Sequence, residues 1–289
     1  MELLQLKYFR VAANLQNFSK TAEHFMVPQS SISKTIAKLE QEVGCKLFER
    51  SGKHVYLNDF GRSFLKRIDL ALESLENATA ELNEIAGRKY ENVKLAVWEG
   101  SKLLPDILSD FSEINPGTRF SLVLHAKASI LSGDFDLCIS SLPICDERLD
   151  YATLVTEEIL LAVPSQHPLA QCSHVSLSDL RYESFISLPS SKSLRRITDA
   201  YFNMYGYLPN IIFESDDAAT VRGLIENGLG IAFIPAKTWR TAPTNLIRLL
   251  HIRDMDCNRT LAVCWYKNRI LPSSANKFMH FLIEWFSRL

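Results

Sequence analysis

From its first residues the chain spaces its apolar positions at helical intervals. Leu3, Leu6, Phe9, Val11, Ala12 and Ala13 turn one face of a first helix inward. Phe18 and Ser19 open a second, short helix, with Ser19 as its cap and Ala22 and Phe25 facing in. Met26 and Val27 make the turn. Pro28 suits the first turn of a third helix, where its missing N–H has no partner to lose. Along that helix Ile32, Ile36 and Leu39 recur as a buried stripe. Leu47, Phe48, Val55 and Leu57 then alternate with polar residues around Ser51-Gly52-Lys53, which predicts a hairpin and makes the unit a winged helix.

The period changes after the hairpin. Between Asp59 and Ala86 there is no proline, and Gly61 near the start is the one glycine. Phe64, Ile68, Ala71, Leu75, Ala78, Leu82 and Ile85 recur at alternating steps of four and three, the seven-residue repeat of a coiled-coil seam. Glu73, Glu76, Glu81 and Glu84 flank it, so a dimer along this helix is preferred over packing on its own domain. From Asn92 onward apolar runs alternate with helical stretches. VKLAVW, TRFSLVLH and FDLCISS read as strands around the helix LLPDILSDFSEI. A second unit follows: LLAVP, FISLP, a helix from Leu194 to Tyr205, IIFES, a helix from Ala218 to Asn227, GIAFIP, then TLAVCW and a closing helix from Ser273. The rhythm predicts α/β lobes with parallel strands and crossover helices. Two passages between lobes, near Leu161 and Val263, divide the body into lobe I (92–160 and 266–289) and lobe II (161–265). A head at 1–58 and a linker helix at 59–87 precede them.

Composition refines this picture. With 47% hydrophobic and 22% charged residues the 289-residue chain is typical of soluble multidomain proteins. MELLQLKYFR lacks the pattern of a signal peptide, and runs such as ILLAVP and IAFIPA are too short to span a bilayer, so a cytoplasmic protein without a membrane partner is expected. The six cysteines form no CxxC pair and have no histidine at ligand spacing, so neither a metal nor a cofactor is expected. Charge is uneven. Residues 1–67 hold eleven Lys and Arg against six Asp and Glu, whereas the rest of the chain is net acidic. A basic head on an acidic body points to a polyanion met by the head alone.

The third helix suggests how. Gln29, Ser30, Ser33 and Lys34 lie at its start and away from Ile32 and Ile36. Short hydroxyls permit close approach, and glutamine and lysine hydrogen-bond base edges in the major groove of double-stranded DNA. Ser30 and Ser31 equally suit a capping role. Ser19, Ser31 and Lys38 border this face and complete the DNA-facing set, with Arg50 and Lys53 of the wing placed to meet phosphate or the minor groove. His54 stays open between wing contact and surface turn.

NFSKTAEHFMVPQSSISKTIAKLEQEVGCKLFER followed by LNDFGRSFL resembles the amino-terminal domain of LysR-type transcriptional regulators over about sixty-five positions. The resemblance implies that Gln29, Ser30, Ser33, Lys34 and Lys53 face DNA at a dyad promoter site. It also implies that the linker helix, through Phe64, Ile68, Leu75, Leu82 and Ile85, pairs chains into dimers or tetramers. Pro28 stands where the family has a serine or threonine cap, Ser30 where it often has proline, Asn58 where threonine is usual, and Phe60 where alanine is. HPLA, SLSDLRYESFISL and ENGLGIAFIP resemble the family's effector domain, similar in turn to periplasmic solute-binding proteins. The final stretch from Lys267 resembles the branch containing regulators of glutamate synthase in Gram-positive bacteria. Fewer residues than usual separate SLVLH from Ile130, so the cleft edge near Ser129 is shortened.

In open α/β folds a ligand sits at carboxyl ends of strands, facing helix starts. Three stretches qualify: Gly100-Ser101-Lys102 after Glu99, Ser140-Ser141, and Pro189-Ser190-Ser191 with Ser193. With Lys102 and Lys192 beside these hydroxyls, the expected effector is a small anion such as a carboxylate. Serines before helices are commonly caps, and one of Asp216 and Asp217 is expected to cap the helix at Ala218. No GxSxG, HExxH, phosphate loop or dinucleotide fingerprint is present, which argues against an enzyme. One alternative is a solute-binding or scaffold protein whose winged helix makes only protein contacts, against which the basic head and the Gln29/Ser33/Lys34 face speak; a redox sensor is another. Peroxide-responsive members of the family carry a cysteine where Ser193 falls, which leaves Cys138 and Cys145 as the pair to consider.

Overall fold

The computed structural model describes residues 1–51, 54–85, 92–124, 135–144, 146–239 and 245–289. Three helices, α1 (Leu3–Leu15), α2 (Phe18–Phe25) and α3 (Gln29–Val43), pack around Phe9, Ile32, Ile36 and Leu39. The cap of α2 is Asn17, whose side chain accepts the N–H of Lys20 at 3.0 Å. Ser19 lies within the helix and is exposed, so the expected Ser19 cap is corrected by two positions. Pro28 is the residue before α3. The hairpin follows as β1 (Phe48–Ser51) and β2 (His54–Leu57), with Phe48 opposite Leu57 and Ser51 opposite His54. Lys53 lies outside the described residues.

Glu40, on the inner face of α3, has no counterpart in the periodicity argument. It is buried, and its Oε1 accepts the N–H groups of Leu47 at 2.9 Å and Phe48 at 3.2 Å, while Lys46 Nζ reaches Oε2 at 2.8 Å. One carboxylate thus fixes the wing to α3. Asn58 continues the chain of local bonds by accepting the N–H of Gly61 at 2.8 Å. A Cβ on Gly61 would stand 2.2 Å from the carbonyl oxygen of Leu47, so only glycine fits this crossing.

The helix α4 (Asp59–Ile85) departs from the coiled-coil expectation over its first half. Ile68 and Leu72 are buried in the head's own core, Phe64 packs there with its ring 5.2 Å from that of Phe9, and Leu65 joins them. Phe64 and Ile68 therefore serve the head, because α1 offers an apolar partner within the same chain. Beyond that point Leu75 and Leu82 are exposed, at 54% and 66%.

The remaining strands form one eight-stranded sheet and one pair. Parallel strands β3 (Asn92–Val97), β4 (Arg119–Leu124) and β5 (Leu137–Ser141) carry α5 (Leu104–Ile114). A long β6 (Leu149–Pro164) and β12 (Asn258–Tyr266) pair antiparallel beside β5. The outer half of β6 pairs with β10 (Ala232–Pro235) and β11 (Ile247–Ile252), and β11 with the short β7 (His174–Val175). β8 (Ser184–Ser187) and β9 (Asn210–Glu214) run parallel, flanked by α6 (Ser193–Met204) and α7 (Ala218–Glu226); α8 (Ser273–Ser287) closes the chain on the first lobe. Leu154, Val155, Leu261 and Val263 belong to one apolar core, Ile159 and Cys257 to the other. The passages therefore lie at Thr156–Glu158 and Asn258–Thr260, several residues before the expected Leu161 and Val263. There the apolar run of β6 is interrupted by Glu157 and Glu158.

Candidate DNA interface and effector cleft

On the head, Gln29, Ser30, Lys34 and Lys38 are exposed, Ser31 and Ser33 half-buried, and the buried stripe of α3 faces the other way. Lys38 Nζ is 3.2 Å from Glu2 Oε1, so it is partly engaged by α1. Arg50 lies on the wing's first strand, opposite Val55. The resulting surface is a helix start rich in short polar side chains with cations at its edges, the shape and charge a major groove accepts.

The three serine stretches of the sensor do not converge on one chamber. They line two, sharing Trp98. Gly100, Ser101 and Lys102 border a small recess of about 90 Å³ with Glu99, Lys192, Asp217 and Trp239. Ser140, Ser141, Ser191 and Ser193 border a cavity of about 560 Å³ with Cys138, Arg148, Arg196 and Cys264. Pro189 and Ser190 line neither. Gly100 adopts φ +77°, which lets the chain turn sharply after β3 and bring Ser101 into a short 3-10 turn. Asp217 caps α7, accepting from the N–H and hydroxyl of Thr220 at 2.7 and 2.8 Å, and these bonds hold its carboxyl below the usual range. Ser129 lies outside the described residues, as does Cys145.

Between the chambers stands a buried charged cluster. Ser193 Oγ, at the start of α6, donates to Glu99 Oε1 at 2.6 Å, so Ser193 is already committed within the protein. Arg259, with no exposed surface on its side chain, reaches Glu99 at 3.3 Å and Glu157 at 2.8 Å. Glu157 also accepts the N–H groups of Lys237 and Thr238 and the hydroxyl of Thr238. The two lobes and both connecting strands meet here. By contrast the hydroxyl of Ser141, a residue 4% exposed on the wall of the large cavity, has no hydrogen-bond partner among the described residues.

Family models match this layout along the chain. The bacterial regulatory helix-turn-helix model of the lysR family covers residues 3–62, and the LysR substrate binding domain covers residues 94–287. The chain belongs to the LysR family of bacterial transcriptional regulators. It is 32% identical to the transcriptional dual regulator GltC of Bacillus subtilis, over the whole of this chain and 99% of that protein. Its fold matches full-length OxyR C199D of Pseudomonas aeruginosa with a TM-score of 0.66 at 21% identity, covering 99% and 94% of the two chains. It also matches the effector binding domain of QuiR in complex with shikimate, with a TM-score of 0.60 at 22% identity, covering 69% and 98%. This LysR-type regulator thus joins a DNA-binding helix-turn-helix head to an effector-binding domain.

The thiols of the regulator bear on the redox alternative. Cys138 on β5 stands directly opposite Cys264 on β12, a pairing that residue spacing does not disclose. Burial pushes both thiols up, that of Cys264 to about 12, and a neutral buried thiol is a poor nucleophile toward oxidants. His167 is structural: its Nδ1 accepts the N–H of Leu169 at 3.3 Å, and its Nε2 is 3.3 Å from Glu183. Among the described residues no helix is long and apolar enough to cross a membrane.

Proposed function

We propose that the start of α3 reads base edges in dyad promoter sites, with two heads joined along the outer half of α4. On this reading the large cavity takes a small effector with an anionic group, and its occupancy modulates promoter binding. The observation that carries the reading is the placement of Gln29, Ser30 and Lys34, exposed on the helix start and opposite the buried stripe. The exposed Leu75 and Leu82 support pairing of α4. Ser141, whose hydroxyl is buried without a partner among the described residues, and Arg196 both line the large cavity, and this pairing supports an oxyanion as ligand. The shikimate-bound QuiR domain supports a small ligand at this kind of fold.

Selection of genomic DNA fragments by the purified protein tests it, beside a Gln29→Ala/Ser33→Ala/Lys34→Ala variant. Enrichment of a few dyad-containing fragments by the parent alone is expected. Equal enrichment by both proteins, or none, sinks base reading by α3. For the effector, one member of a carboxylate panel is expected to raise the melting temperature of the parent more than that of Ser141→Ala.

A further inference from the structure

Arg148, in the turn before β6, belongs to two surroundings at once. Its side chain lines the large cavity. The same guanidinium also reaches out of the sensor to the linker helix, where Nη1 lies 3.4 Å from Asp69 Oδ2. Asp69 follows Ile68 on α4, and Ile68 is buried in the head's core, so this bond ties the sensor to the helix segment that packs into the head. The face of Tyr266 supports the guanidinium, with the ring centroid 5.6 Å away.

The geometry around Arg148 is unequal. Asp146 holds one edge of the fork, taking Nε at 3.0 Å and Nη2 at 2.8 Å, and also accepts the Arg148 backbone N–H at 3.0 Å. Asp69 makes the single, longer contact on the remaining edge. Burial pushes the Asp69 carboxyl above its usual value against the pull of Arg148 and Arg10. A planar fork presents a limited set of directed donors, and any group that draws Nη1 inward must take it from Asp69 and not from Asp146.

We propose that Arg148 is a positioning residue that couples the cavity to the DNA-binding head, holding the linker helix through Asp69 and loosening that hold when its guanidinium is drawn into the cavity. The inference rests on the reading that the cavity takes the effector, and it supplies that site's route to the head. An oxyanion is the group chemically suited to draw the guanidinium.

Hydrogen exchange of the full chain tests the coupling with neither DNA nor ligand present. The variants are Asp69→Asn, Arg148→Gln, the double variant, and Asp69→Glu. Asp69→Asn is expected to speed exchange across residues 137–144 and 146–149 by about threefold to tenfold, and Arg148→Gln to do the same across residues 62–75. The double variant is expected to exceed neither single change, and Asp69→Glu to stay near the parent. Effects confined to the mutated side, or additive in the double variant, overturn the proposal. Should Arg148→Gln fail to fold, the near-isosteric Asp69→Asn with its readout on the sensor decides alone. A cavity that binds no effector would leave the measured coupling standing, and absent coupling would leave the effector reading standing.

Discussion

The head and the sensor both bury carboxylates, and they use them in different ways. In the head, Glu40 gathers its three donors from residues six to eight positions away, closing the joint between recognition helix and wing within one short stretch. In the sensor, Arg259 draws Glu157 from 102 positions away and Glu99 from 160. Ser193 of the second lobe completes the cluster. The first arrangement makes a rigid reading unit out of neighbours. The second places two carboxylates around one guanidinium where the lobes meet, so its satisfaction depends on the lobes staying together. Stiffness is built locally in the part that meets DNA, and conditional closure over long range in the part that senses.

Substitutions break this contrast in graded steps. The largest effect is expected from Arg259→Met, which strands two buried carboxylates and costs about 4 kcal/mol. Calorimetry should show the loss in the sensor's transition and leave the head's in place. Gly61→Ala does the reverse, forcing a methyl against the Leu47 carbonyl at about 3 kcal/mol, with loss confined to the head. Glu40→Ala leaves the N–H groups of Leu47 and Phe48 unmet and costs about 2 kcal/mol, again in the head. Asp217→Ala removes a helix cap beside the small recess, at about 1 kcal/mol in the sensor.

Two carboxyls sharpen the contrast with opposite pH dependence. Asp69, faced by Arg148, Arg10 and Asp146, is raised by burial from the ordinary 3.8. Its contribution is fully present below that value and is lost as pH rises through the folded value. Asp69→Asn should flatten this loss as pH rises above the ordinary carboxylate value. Asp217 is lowered by its bonds to Thr220, so its contribution is present above the ordinary value and is lost as pH falls through the folded one. A stability profile of Asp217→Ala should therefore converge on the parent's at low pH.

Much of the head was legible because its determinants lie close in sequence. Ile32, Ile36 and Leu39 mark their helix within eight residues, and all are buried. The cap of α2 is ambiguous in sequence because Asn17 and Ser19 are both good capping residues, and only the backbone trace separates them. The first half of α4 misled because a seven-residue repeat cannot say whether its partner is another chain or its own α1. In the sensor the individual strands and helices were readable, but β6 was seen only in its final apolar stretch. Glu157 and Glu158 break its pattern, and their partners Arg259 and His251 come about a hundred residues later. The same distance explains the candidate site. Each serine stretch stands at a strand or helix end, yet nothing local tells that Trp98 and the Glu99–Ser193 bond separate them into two chambers.

The position of Trp98 on both chambers has an optical consequence. All four tryptophans, Trp98, Trp239, Trp265 and Trp285, lie in the sensor, and the head has none. Light absorbed at the red edge therefore interrogates the effector domain alone, even with DNA on the head. Of the two chambers Trp239 lines the small recess and not the large cavity, with the Lys102 ammonium 5.9 Å from its ring, whereas Trp98 lines both. A ligand entering the large cavity should shift the emission of Trp98 and spare that of Trp239, so the shift should vanish in Trp98→Phe and persist in Trp239→Phe.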